Sequence, residues 1–142
     1  FAFFIFGYIL PKITKLGFET IKLMKIGLPI SYLTLIIIIV SGENAGAIHF
    51  TIYLLTSIVL TLTQPAVALS FPTSLAGKSL TSFNLLIFVG TFIMQWGIGL
   101  IIDFCLYLGK EEVQSFKISF TIYLIICIFS YLYFILNNKN EK

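Results

Sequence analysis

Residues 80–108, LTSFNLLIFVGTFIMQWGIGLIIDFCLYL, carry no charge before Asp103. At a rise of 1.5 Å per residue, about 20 apolar residues cross a hydrocarbon core of about 30 Å, so this stretch predicts a transmembrane helix. The helix is not uniformly apolar. At 100° per residue, Asn84, Thr91 and Gln95 fall within about 40° of one another, and Gly90 and Gly97 lie roughly opposite them. Amides are costly against lipid, which directs the polar stripe toward protein or a water-filled cavity. The two glycines suit the close approach of a neighbouring backbone.

The rest of the chain reads the same way. Of its 142 residues 58% are hydrophobic and only 11% charged, where a soluble domain carries about a quarter charged residues. Cys105 and Cys127 sit in or beside apolar spans with no Cys/His cluster around them, so they read as small buried hydrophobes and no metal is expected. The chain has one histidine, no phosphate-binding glycine loop and no dinucleotide fingerprint. Neither an enzyme nor an ATP-driven pump is expected, and no cofactor.

Taken in order, residues 1–10 (FAFFIFGYIL) are apolar but make only about 15 Å of helix. They read as the end of a helix whose first half lies upstream, and the chain as a fragment of a longer protein. Residues 11–25 form a basic loop. A second span, 26–40, is apolar all round, with Pro29 in its first turns, and belongs against lipid or at the edge of a bundle. Residues 41–46 are a short outer turn.

The third span, 47–69, places His49, Tyr53, Thr56, Ser57 and Gln64 within about 100° of arc. Pro65 should loosen this helix near its inner end. Lone hydroxyls such as Thr51 and Thr61 are expected to bond back to their own helix. Residues 71–79 form a basic inner loop, 80–108 the fourth span, and 109–116 an outer loop. The last span, 117–136, is aliphatic and aromatic, with Tyr131 and Tyr133 suited to the membrane interface. Residues 137–142 are a polar tail.

This alternation puts Lys12, Lys15, Lys22, Lys25, Lys78, Lys139 and Lys142 on one side and only Lys110 and Lys117 on the other. The lysine-rich side is the cytoplasmic one. The expected protein is therefore an all-α, multi-pass protein of the cell (inner or plasma) membrane: four full transmembrane helices plus the end of a fifth, with a cytoplasmic C-terminus.

The order apolar, polar-striped, polar-striped, apolar resembles the last third of a major facilitator superfamily transporter. Gly7, Lys12 and Lys15 match the first glycine and two basic positions of that family's G-x-L-A/D-D-R-x-G-R/K loop, although Pro11 replaces the acidic residue and Thr14 the second glycine. Phe71-Pro72 followed by Gly77-Lys78 is similar to the link between the family's tenth and eleventh helices. Asn84, Gly90, Gly97, Gly99 and Asp103 follow it as in members whose eleventh helix runs N…G…G…G…D. The resemblance implies a place in the carboxyl-terminal six-helix bundle, from the end of the eighth helix through the twelfth. The ninth and twelfth helices would be peripheral, and the tenth and eleventh would line the cavity.

It also implies secondary, ion-coupled transport of a small solute by alternating access. Substrate sites in such transporters lie at midplane depth, which selects Thr56, Ser57, Thr91 and Gln95, with Gln64 and Asn84 nearer the inner mouth. Gly90 and Gly97 would serve packing. His49 and Asp103 fall at the outer end, where they act as helix-end anchors or as a proton-linked gate. The expected partners are the bilayer, the upstream helices of the same transporter and a small-molecule substrate, with no nucleic acid. The rival expectation is a small auxiliary membrane subunit that stabilises a larger complex.

Overall fold

The computed structural model describes residues 7–8 and 20–137. The apolar residues 1–10 (apart from helical Gly7 and Tyr8), the loop 11–19 and the tail 138–142 lie outside the described residues. The described part is helical throughout: α1 (Thr20–Ser41), a 3-10 turn (Gly42–Asn44), α2 (Ala47–Ser57), a 3-10 segment (Ile58–Leu62), α3 (Thr63–Leu69), α4 (Thr73–Tyr107) and α5 (Glu112–Asn137). They make four spans long and apolar enough to cross a membrane.

Helices α1, α4 and α5 begin before the apolar stretches that announce them. Backbone hydrogen bonding continues beyond the hydrocarbon until something stops it. Thus α1 begins at Thr20 rather than at residue 26, and α5 at Glu112 rather than at 117. The expected inner loop 71–79 is mostly helix. Pro72 is the N-cap of α4, its carbonyl accepting the N–H groups of Leu75 and Ala76 at 2.8 and 3.1 Å. Gly77 and Lys78 therefore lie in the opening turns of a helix of 35 residues. That helix is about 52 Å long and must project from a core of about 30 Å.

Two stops are clear. After α4, Gly109 takes a φ of 77°, with Lys110 N–H on the Cys105 carbonyl and Gly109 N–H on the Leu106 carbonyl. This pair of bonds closes the last turn and needs a residue tolerant of the left-handed region. In the third span the interruption precedes Pro65. Proline has no N–H for the Thr61 carbonyl and its ring crowds that position, and residues Ile58–Leu62 tighten into 3-10 pairing.

The packing order differs from the expectation for the second span. Helix α1 is not peripheral within this chain: it packs against α2, the Ile58–Leu62 segment and α5. Its buried residues, Met24, Leu28, Ser31, Leu35 and Ile38, follow a 4-3-4-3 spacing. A helix that is apolar all round has no polar face to mark its direction, so shape selects the seam. Gly27 lets the 3-10 segment in: a Cβ there would lie 2.8 Å from Val59 Cγ2. Met24, Leu28, Val59 and Leu62 form the buried cluster, covered by Tyr32 and Tyr131, whose rings meet edge to face at 5.8 Å. Between membrane helices such contacts stabilise through close van der Waals packing, since lipid tails are as apolar as leucine.

The fourth span is instead the outlier. No residue in the most apolar stretch of α4 is buried, against 28% of the corresponding stretch of α1. It leans on α3 near its start and on α5 near its end. The α4–α5 contact is made through small residues. Ser115 and Ser119 are fully buried, and the Ser119 hydroxyl donates to the Ile98 carbonyl of α4 at 3.1 Å.

Candidate functional site

The polar stripe of α4 emerges on the outside of the four helices. Asn84, Thr91 and Gln95 are all exposed. Asn84 lies three turns into α4, beside α3, and its Oδ1 accepts a hydrogen bond from Gln64 Nε2 at 3.4 Å. The residues expected at the inner mouth are thus brought together across two helices. The pair is held because Pro72 turns the chain sharply between α3 and α4.

The four midplane candidates do not converge. Thr56 turns toward α1, its Oγ1 lying 3.1 Å from Thr34 Oγ1 and donating to the Ile52 and Tyr53 carbonyls, each at 3.0 Å. Ser57 faces a half-open chamber between α1, α2, α4 and α5. Thr91 and Gln95 are exposed on α4 and do not line that chamber. Thr51 and Thr61 donate back to the Ala47 and Ile58 carbonyls at 2.8 and 2.7 Å, the ordinary arrangement for a hydroxyl in an apolar helix.

At the outer end, His49 Nδ1 accepts the N–H of Gly46 at 3.2 Å, so the imidazole closes the first turn of α2. Asp103 is exposed near the end of α4. Among the described residues no hydrogen bond or ion pair joins the two. Gly90 and Gly97 meet no neighbour within 4 Å of where a Cβ would stand. Among the described residues nothing packs on them; the close approaches occur at Gly27, at Gly42 against Lys117, and at Ser119.

The chamber beside Ser57 was not legible as a site. It has a volume of about 220 Å³, and Tyr32, Tyr53, Tyr123, Cys127 and Ser130 line it with Ser57. Tyr123 interacts through its side chain with Tyr53 and Cys127. A signal did exist. Tyr123, Cys127, Ser130 and Tyr131 fall within about 100° on α5, a weakly polar stripe hidden in a span that reads as aromatic and aliphatic. Tyrosine and cysteine count as apolar by composition, and only geometry shows which way their polar atoms point. Of the cysteines, Cys105 is buried and Cys127 half-buried against the chamber.

No family model, curated protein or solved structure matches the chain.

Proposed function

We propose that these helices form part of a larger membrane bundle that moves a small solute by alternating access, as the resemblance to the major facilitator superfamily implies. One observation carries this reading: the stripe of Asn84, Thr91 and Gln95 is exposed on a span whose most apolar stretch buries nothing within the chain. An unpaired amide in hydrocarbon costs several kcal/mol. The face therefore requires protein, water or a polar solute beside it. Thr91 and Gln95 are the substrate-contacting residues in this reading, with Gln64 and Asn84 at the inner mouth. Gly90 and Gly97 receive a helix from outside these four. His49 and Asp103 stand at the outer end of the pathway, where ion coupling would engage a titratable group.

The test is cysteine accessibility in the intact protein, in a cysteine-free background. Cysteine at Gln95 or Thr91 should react with a membrane-impermeant thiol reagent, while cysteine at Ile37, exposed on the apolar α1, should not. Equal labelling at Ile37 and Gln95 would remove the cavity. Absence of labelling at Gln95 and Thr91 alike would mean a face sealed by a static partner, which is the auxiliary-subunit reading.

A further inference from the structure

From the geometry of the chamber between α1, α2, α4 and α5 we infer that it is a binding site for a small, uncharged aromatic alcohol. This does not rest on the transport reading, which concerns the outer face of α4.

The wall is chemically specific. None of its residues is formally charged: Leu28, Leu60, Met94 and Ile126 supply apolar surface around the tyrosine rings. A carboxylate or ammonium placed there would lose its hydration and find no counter-charge, at a cost of several kcal/mol. An uncharged ring would meet tyrosine edges and faces, which favour offset or edge-to-face aromatic contacts.

The wall also holds unspent hydrogen-bonding capacity. Nearby hydroxyls are consumed by their own helices: Ser31 donates to the Leu28 carbonyl at 2.8 Å and Thr34 to the Ser31 carbonyl at 2.7 Å. Ser57, half-buried on α2, and Ser130, at the chamber's open side on α5, also line it, and among the described residues their hydroxyls make no hydrogen bond. They stand ready to receive one polar group from a ligand. Mostly apolar walls with a few convergent polar groups are the general make-up of small-molecule sites.

Size sets the limit. A dry apolar cavity of about 150 Å³ accommodates benzene. The chamber's 220 Å³ therefore has room for one aromatic ring with a hydroxyl.

Phenol is the probe, and native Cys127 the reporter. In the full-length protein carrying Cys105→Ala, the rate of Cys127 modification by methyl methanethiosulfonate is measured with and without phenol. With phenol at ten times its Kd only about a tenth of sites stay empty, so the rate should fall about tenfold, saturably. Benzoate should leave it unchanged. A second reporter, Phe129→Cys with Cys105→Ala and Cys127→Ala, faces outward on α5 and should be insensitive to phenol. Saturation transfer from protein to phenol should be seen with the native chamber and lost in both Ser57→Trp and Ser130→Leu, which fill it from opposite sides. The inference is overturned if phenol slows the Phe129→Cys reporter equally, if benzoate protects as well as phenol, or if saturation transfer persists in both filled variants. It is also overturned if neither protection nor transfer occurs, since the chamber then holds water only.

Discussion

The Tyr131 hydroxyl donates a 2.6 Å hydrogen bond to the Lys25 carbonyl, 106 positions away in sequence. That carbonyl stands four residues before Pro29, which has no N–H to offer it. Helix α1 extends from Thr20 to Ser41 with Pro29 inside it. The bond to the Lys25 carbonyl comes from α5. In a bilayer a freed backbone group has no water to turn to, so a neighbouring side chain must supply the bond.

Tyr131→Phe should thus cost about 0.6 kcal/mol and at most about 1.7, the range for hydrogen bonds between membrane helices. Pro29→Ala restores an N–H for Lys25. In that background the Tyr131→Phe penalty should vanish, and a double-mutant cycle read by reversible unfolding in mixed micelles measures the difference. An undiminished penalty would mean that Tyr131 acts through its packing on Tyr32 instead.

Gly27 and Gly90 should respond differently to the same change. A methyl at Gly27 meets Val59, whereas one at Gly90 meets nothing in this chain. Gly27→Ala should destabilise the isolated four-helix unit by about 1–3 kcal/mol through overpacking. Gly90→Leu should leave it unchanged there, yet impair assembly of the intact protein. Thermal unfolding of the two preparations decides it; an inert Gly90→Leu in the intact protein would mean that no helix packs on that face.

Pro65 holds the third span out of regular helix. Pro65→Ala returns an N–H to the Thr61 carbonyl and should let α2 run on through the 3-10 segment. Amide exchange at residues 58–62 should be fast in the wild type relative to α2 and should slow in the variant. Val59 and Leu62 would then rotate off α1, lowering stability despite the added hydrogen bond. Unchanged exchange would show that tertiary packing, and not the proline, imposes the 3-10 pairing.

The positive-inside rule predicts that the lysine-rich side, with residues 11–25 and the tail, is cytoplasmic. A reporter fused after Lys142 should be active only as a cytoplasmic fusion, and one inserted at Asn44 only as an exported fusion. The opposite result at both sites would invert the orientation.

Among the described residues, the sequence by itself located the four helices long and apolar enough to cross a membrane, because only a run of about 20 apolar residues spans the hydrocarbon. It also flagged the neighbourhood of Pro65 as a weak point of the third span, where Ile58–Leu62 is 3-10 just before it, and marked the α4 stripe, because amides stand out on an apolar wheel. It did not determine helix ends: hydropathy reports the membrane, while Pro72 and Gly109 act on the backbone. Nor did it reveal that α1 is the most enclosed of the four spans. In water an apolar face announces the core, but every face of α1 is acceptable to lipid. The choice of Met24, Leu28, Ser31, Leu35 and Ile38 as its seam was made by the fit of Gly27 to Val59 and the reach of Tyr131 to Lys25. Such fits depend on distances between segments far apart in the chain. They exist only once the helices are packed, and so the chamber of Ser57, Tyr123 and Cys127 appeared only with the tertiary structure.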